Sequence, residues 1–531
     1  MLQRSIRNRP FQRRNAGHSF QAFRWLSQED ISCKNRNNQT AAFEQFENLQ
    51  PAITNRCLVS TQIKKECLVP LSIADIHLRH EQLPFAYFFS EVLSNEELKA
   101  SFTEVVQHFS TSGGEVVNHQ NIRCSPDDTV PLAFAEMNIT MEEWLSCRRD
   151  HHQSDNGQHP TLLPLFRPLF PPDSDSVDNL LTVQVTHFAK SSGTVIGVNA
   201  NHLLCDTASL QRLVECWGKA NSQKSFGVPC FDRAALSCSG MMKPEILDLL
   251  GVDNSSQEMR QKDNSSWWRR WFGAFREMDK IEKAEPIEHE YVPLTFSSGL
   301  LAAMKDHGMK SCETGSKNGG FDSNNPSYVS TNDTIMAVVW LLKRSLSNDH
   351  GSNLSIVMNL RGKCGVDDFD DTKSTSKSGL FGNGITNVIA SLAPSIAGQD
   401  IEISYVAKAS REIRLALLSG LEELPDRLAQ SRLDNPISAS SAGSASCFCT
   451  TSWRQLSPRD IRFSSTASLI DFHGQPAHPL PTGRTFTSVV HSDFVQGGAT
   501  VELFIPSDQA KIARELHSNL CELFLEWHAD Q

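Results

Sequence analysis

From Ser94 the chain reads SNEELKASFTEVVQHF, and Leu98, Phe102, Val105, Val106 and Phe109 recur at helical spacing. Ser94 and Glu97 make the capping-box pattern expected at a helix start. The period then changes. In LLTVQVTHF, Leu181, Val183 and Val185 alternate with Thr and Gln, the period of two of a half-buried strand. The turn residues SSG at 191–193 separate it from TVIGVNA, so the two runs predict a hairpin. The second strand leads into GVNANHLLCDTASL, after which Leu210, Leu213, Val214 and Trp217 return to helical spacing. His202 therefore falls at a predicted strand-to-helix junction.

The second half is patterned in the same way. STNDTIMAVVW opens a helix with a Ser330/Asp333 capping pattern, and LSIVMNL predicts a strand ending at Arg361. The small-residue run SASSAGSAS predicts a loop before CFCTTSW. TFTSVV and GATVELFI flank Gly497 and Gly498 as a second hairpin, and an amphipathic helix capped by Ser507 or Asp508 ends the chain. Between these runs, 148–160 and 312–326 read as loops, 29–55 as a polar linker, and order is expected from about residue 57. The pattern degrades over 222–290. There NSSWWRRWFGAFREM is expected to pack its rings on its own domain with arginines at the rim, a membrane-surface helix being the minor alternative. Strands and helices mix without a regular βαβ beat or a repeat, which predicts an α/β chain in two layered halves. The expected divisions are a basic segment and linker at 1–56, a first domain at 57–225, a crossover or insertion at 226–295 and a second domain at 296–531.

Composition removes several function classes. With 50 basic against 61 acidic residues the net charge is −11, so a phosphate-binding face for nucleic acid is not expected. No apolar run approaches the ~20 residues of a membrane span. The 14 cysteines are scattered, with no C-x-x-C pair, which argues against a zinc site and a dense disulfide framework and for free thiols in a reducing compartment. Residues 1–28 carry arginines at 4, 7, 9, 13, 14 and 24 and no acid. Two readings stay open for them: a mitochondrial or plastid transit segment, or a basic tail on a cytoplasmic protein.

His202 and Asp206 make a His-x-x-x-Asp spacing, and so do His151 and Asp155 in a polar loop. The spacing alone therefore decides nothing. Only His202 follows an apolar strand and precedes a helix, which puts an imidazole at a sheet edge, where clefts form. A satisfied core histidine is the competing reading. Asp206 need not touch the imidazole and is expected to brace the loop through an arginine. Cys205 is read as packing.

Taken together, several segments resemble the BAHD-type, or HxxxD, acyl-CoA-dependent acyltransferases over roughly residues 60 to 528. These are VPLSIADIHL from Val69, the junction GVNANHLLCDTASLQRLVECW, PCFDR at Pro229 to Arg233, STNDTIMAVVW, MNLRGK with LFGN at Leu380 to Asn383, TSWRQL, and DFHGQP from Asp471. The departures are DFHGQP, one residue shorter than the family's DFGWG-type element and lacking its tryptophan, and Thr207, where a small residue is usual. The resemblance implies two chloramphenicol-acetyltransferase-like domains with mixed sheets and a channel between them. It implies a soluble monomer of secondary metabolism. The protein would use acyl-CoA as co-substrate with no permanent cofactor or metal, and would move an acyl group other than aminoacyl to a hydroxyl or amine of a small molecule. By match to the family's motifs, His202 would be general base and Asp206 a structural brace on Arg361. Thr451 and Trp453 would be the oxyanion donors, with Asp471 and Gly474 as structural or channel residues. Two rivals accompany this reading: a condensation-domain-like transferase using carrier-protein thioesters, and a non-catalytic small-molecule-binding member of the family.

Overall fold

The computed structural model describes residues 49–79, 81–118, 120–146, 166–171, 179–233, 236, 289–317, 326, 328–347, 353–363, 366, 378–392, 401–430, 447–456, 458–474, 487–492 and 497–529. Two six-stranded mixed sheets carry the fold. The first runs, edge to edge, β1 (Ala52–Ser60), β6 (Thr129–Met137), β7 (Leu181–Phe188), β8 (Thr194–Asn201), β3 (Gln82–Phe89) and β15 (Leu469–Gly474). The second runs β10 (His289–Phe296), β17 (Ala499–Pro506), β16 (Thr487–Ser492), β14 (Cys447–Ser452), β11 (Asn353–Asn359) and β13 (Ile385–Ala390). Each sheet combines parallel and antiparallel neighbours, β6 with β7 and β14 with β16 being parallel. A small sheet pairs β2 (Cys67–Pro70), β5 (Asn121–Cys124) and β4 (Glu115–Val117), and β9 (Pro229–Cys230) pairs with β12 (Ser378–Leu380).

Helices cover one face of each sheet. Between β2 and β3 lies the single-turn α1 (Ile73–His77); α2 (Asn95–His108) and α3 (Thr207–Asn221) pack on the first sheet. Their apolar stripes are those read from periodicity, and Phe102 meets Trp217 at 4.6 Å between ring centroids. The Trp217 indole N–H donates to the Leu98 carbonyl at 3.1 Å, which removes the cost of burying it. On the second sheet lie α4 (Ser298–Lys317), α5 (Thr331–Ser347), α6 (Ile403–Gln430) and α7 (Ser507–Ala529). Ser330 and Asp333 close a full capping box, the Ser330 N–H donating to Asp333 at 2.6 Å and the Asp333 N–H to Ser330 at 3.2 Å. Ser94 receives the Glu97 N–H at 3.3 Å, and its own hydroxyl donates to Glu96 at 3.3 Å.

Several expectations need correction. β1 begins at Ala52, five residues before the expected onset of order, and α4 continues to Lys317 into the stretch read as a loop from 312. VPLSIADIHL, which the resemblance gives as an opening strand segment, is a strand only to Pro70; the rest opens α1. The terminal helix starts at Ser507, so Ser507 and Asp508 lie in its first turn rather than before it. β7 is buried on both faces rather than one: Thr182, Gln184 and Thr186 are as inaccessible as the apolar residues between them. The cause is the segment 166–171, which crosses the far face of the sheet. Gln184 donates to the Pro168 carbonyl at 2.9 Å and to the Thr186 hydroxyl at 3.0 Å, so the polar face is satisfied inside the protein. RRDHHQSDNGQHP and NSSWWRRWFGAFREM lie outside the described residues.

The two sheets are not independent along the chain. β15 follows β14 in sequence but pairs with β3 in the first sheet, with Phe472 opposite Tyr87 and Gly474 opposite Phe85. Phe381, Trp453, Ile461 and Phe463 likewise join the first core. A division at residue 295 therefore cuts through packing, and β10 already belongs to the second sheet from His289.

Gly197 sits where the 166–171 segment crosses β8, and a Cβ there would meet the Leu169 carbonyl oxygen at 2.0 Å. Gly197→Ala is expected to lower stability by about 1–3 kcal/mol, as overpacking does, read as a lower unfolding midpoint. In α7, His517 is buried beside Phe296, and burial lowers its pKa to about 4. The unfolded chain then binds the extra proton between about pH 6.5 and 4. His517 stability is thus fully present above that window and is lost as pH falls through it. The wild type is expected to lose up to roughly 3 kcal/mol more than His517→Leu on acidification across this range, measured by paired denaturant curves.

Candidate active site

β8 is buried along its whole length and delivers His202 at its end. The backbone there is held from both sides. The His202 N–H donates to the Glu81 carbonyl at 2.8 Å, and the Asn383 side-chain amide donates to the His202 carbonyl at 2.6 Å. Asn201 shapes the turn, its side chain accepting the Leu203 N–H at 2.9 Å and donating to the Arg79 carbonyl at 3.2 Å. His202 is 9% exposed, and its Nδ1 has no hydrogen-bond partner among the described residues.

Asp206 is the N-cap of α3, accepting the Ser209 N–H at 2.9 Å, a place where the helix dipole favours a carboxylate. Arg361 meets it in a two-pronged pair, Nη1 to Oδ2 at 2.7 Å and Nη2 to Oδ1 at 3.0 Å. Both side chains are almost wholly buried, at 1% and 4% exposed. Such a pair is tolerable only if the remaining polar sites are also filled. They are: Gly384 N–H donates to Asp206 at 2.9 Å, while Arg361 also donates to the Ser209 hydroxyl at 2.7 Å and to the Gly382 and Leu380 carbonyls at 2.8 and 3.0 Å. Gly384 has to lack a side chain, since its Cβ would lie 2.9 Å from the guanidinium. No hydrogen bond joins Asp206 to the imidazole of His202.

A second buried ion pair lies alongside. Arg233 Nε and Asp75 Oδ2 are 2.8 Å apart, off the N–H direction, with both side chains fully buried. Arg233 donates through Nη2 to the Leu204 carbonyl at 3.1 Å. Asp75 closes a capping box with Ser72 and accepts both the backbone N–H and the side-chain amide of Asn383, at 3.1 and 2.7 Å. Asn383 thus links the Asp75 cap to the backbone of His202. The sequence patterns alone give no site role to Asp75, Arg233 or Asn383. The available signals were the Ser72-x-x-Asp75 spacing, the Arg of PCFDR and the Asn of LFGN.

Thr451 and Trp453 come from the end of β14 in the second sheet, and the Trp453 ring enters the first core. Thr451 is half-buried on β14, opposite Val489. The Trp453 ring packs on Phe85 at 5.0 Å and meets His491 edge-on at 5.0 Å. No hydrogen bond or ring contact joins Thr451 or Trp453 to His202 among the described residues. In β15, Asp471 accepts the N–H of Phe472 at 2.9 Å, and Gly474 faces the rings of Phe85 and Trp453. His473, which the sequence reading noted only as a departure from the motif, stacks on Phe166 at 3.6 Å and shares the buried Glu502 with His491, at 3.9 and 3.8 Å. Burial, and then the Asp206 carboxylate, push the Cys205 thiol well above its usual range, so it is held neutral. Among the described residues no group of three His, Cys, Asp or Glu side chains is placed to hold a metal, and no helix is long and apolar enough to cross a membrane.

Comparison with known proteins locates this arrangement. The chain is 30% identical over 168 residues to the BAHD acyltransferase BIA1 of Arabidopsis thaliana, a stretch covering 29% of this chain and 36% of that relative, about a third of its length. Vinorine synthase shares the fold at 16% identity with a TM-score of 0.54, covering 88% of this chain and 98% of the other. The F. sporotrichioides TRI101 structure, complexed with coenzyme A and T-2, shares it at 14% identity with a TM-score of 0.51, covering 84% of this chain and 96% of the other. With the Transferase family model matching residues 53–467, most of the chain's length, this protein belongs to that family, the BAHD-type acyltransferases.

Proposed function

We propose that the protein transfers an acyl group from acyl-CoA to a hydroxyl or amine of a small-molecule acceptor, with His202 as general base. The observation that carries this is the division of labour at the junction. Asp206 is wholly engaged by Arg361, Ser209 and Gly384, while the imidazole four residues earlier has no carboxylate partner and keeps Nδ1 without a hydrogen bond. A ring not committed to a structural bond is available to take and return a proton. The binding of coenzyme A by the structurally similar TRI101 supports acyl-CoA as donor.

In the reaction, His202 removes the acceptor proton as the oxygen or nitrogen attacks the thioester carbonyl. The tetrahedral oxyanion is held by donors, a role that falls to the Thr451 hydroxyl and the indole N–H of Trp453, whose ring packs on Phe85 and meets His491 edge-on. Collapse breaks the carbon–sulfur bond, and the leaving thiolate takes the proton back from His202. Cys205 is buried and held neutral, which makes it a poor nucleophile; direct transfer needs no acyl-enzyme, and both substrates are expected to bind together before it. Asp206 and Arg361 hold the loop that presents His202 and take no part in proton transfer.

Purified protein supplied with a panel of acyl-CoA donors and alcohol or amine acceptors is expected to release free thiol. His202→Ala is expected to lower kcat by about 10²–10⁴-fold at unchanged unfolding midpoint; full activity in that variant sinks the assignment, and binding without turnover by the wild type favours a non-catalytic protein. Asp206→Ala strands the Arg361 charge in the interior and is expected to cost about 3–5 kcal/mol of stability, seen as a lowered midpoint or insoluble expression. Loss of rate alone, at wild-type stability, would instead make Asp206 part of the chemistry.

A further inference from the structure

In the small sheet, β2 and β5 set Cys67 directly opposite Cys124. Opposed residues of an antiparallel pair project to the same face with Cα atoms about 4.5–5.5 Å apart. That lies within the roughly 4.4–6.8 Å a disulfide spans. The two side chains are close enough for Cys67 to bear directly on the Cys124 thiol. Both are free thiols, and they differ in access: Cys67 is exposed, Cys124 fully buried.

We propose that Cys67 and Cys124 form a reversible modification site, closing to a disulfide by exchange with a small-molecule disulfide of the oxidised-glutathione class. The roles follow from access. The Cys67 thiolate attacks one sulfur of the oxidant, forming a mixed disulfide and releasing one glutathione thiolate. The Cys124 thiolate then attacks the Cys67 sulfur and expels the second. The two thiol protons end on the two glutathione molecules, and the two electrons lost by the protein reduce the glutathione disulfide bond. Burial, and next the charge of Cys67, push the Cys124 thiol up to about 12, while Arg233 acts in the opposite direction. Capping Cys67 as the mixed disulfide removes the Cys67 charge, while burial and Asp128 still oppose ionisation of Cys124 and Arg233 favours it.

The bond would staple the root of the segment that serves the candidate site. The ladder continues past β2 through the Leu71 N–H to the Gln120 carbonyl at 2.7 Å, and Ser72 and Asp75 follow at once. On the Asp75 carboxylate converge Arg233 and Asn383, which holds the His202 carbonyl. Oxidation therefore makes covalent a pairing that the folded state already contains, and it restricts the unfolded chain.

The test uses the full chain, incubated near pH 8 with oxidised glutathione or with dithiothreitol, where an ordinary thiol is substantially ionised. Remaining thiols are blocked with N-ethylmaleimide, and the protein is digested with trypsin and Glu-C, Glu136 separating Cys124 from Cys147. The expected product is a Cys67 peptide joined to a Cys124 peptide, two hydrogens lighter than the sum, removed by dithiothreitol and absent from Cys67→Ser. The thermal midpoint of the oxidised wild type should exceed that of the reduced protein by a few degrees, with no such change in Cys67→Ser. Cys67 recovered as its glutathione adduct, joined to another cysteine or alkylated, with Cys124 alkylated only after unfolding, overturns the proposal. No turnover is measured, so the outcome is independent of the acyl-transfer reading.

Discussion

The buried pair between Asp206 and Arg361 is the constraint around which the junction is built. One partner caps a helix on the first sheet, and the other follows β11 of the second. Neither charge is tolerable in the interior alone, so each requires the other half of the chain to be in place. The segment Leu380–Gly384 is what makes the pair affordable, because its backbone fills the polar sites that the two side chains leave over. Gly384 follows from this, as does the close approach of Gly382 to Arg233, 2.9 Å from where its Cβ would stand.

The same segment explains how His202 is positioned. Asn383 takes hold of its carbonyl while bonding to Asp75, whose carboxylate sits against Arg233. Two buried ion pairs are thus joined through one short stretch of backbone, and the histidine is presented at their margin with its ring uncommitted on Nδ1. This arrangement differs from a Ser-His-Asp one, in which the carboxylate orients the imidazole directly. Here orientation comes through the main chain, and the acid four residues away works on the loop.

The interlocking of the sheets has a similar logic. β15 completes the edge of the first sheet with residues that follow the second sheet's β14, and Phe472 and Trp453 enter the first core with it. Gly474 can pair opposite Phe85 because it adds no side chain to a space already held by two rings. The shortened DFHGQP element keeps this strand role through Gly474. Its histidine places a third ring on Phe166 and a polar contact on Glu502 at the seam with β17.

Much of this was legible in the residues. Helical and alternating periods located α2, α3, α5 and the β7–β8 and β16–β17 hairpins, because the 3.6 and 2 residue repeats follow from local backbone geometry. The Ser330/Asp333 cap is local chemistry, settled within four residues, and so is the strand-to-helix turn at His202. What periodicity could not show was which surfaces meet. β7 alternates like a half-exposed strand, yet 166–171 covers its polar face and satisfies Gln184 internally. Asn383 and Asp75 are 308 positions apart in the chain and bond at 2.7 Å, and β15 finds its partner in β3 across a similar separation. Local pattern determined the elements and put a histidine at a junction. Only tertiary packing decided which charges are buried together, because the desolvation that forces them to pair exists only once distant segments have closed over them.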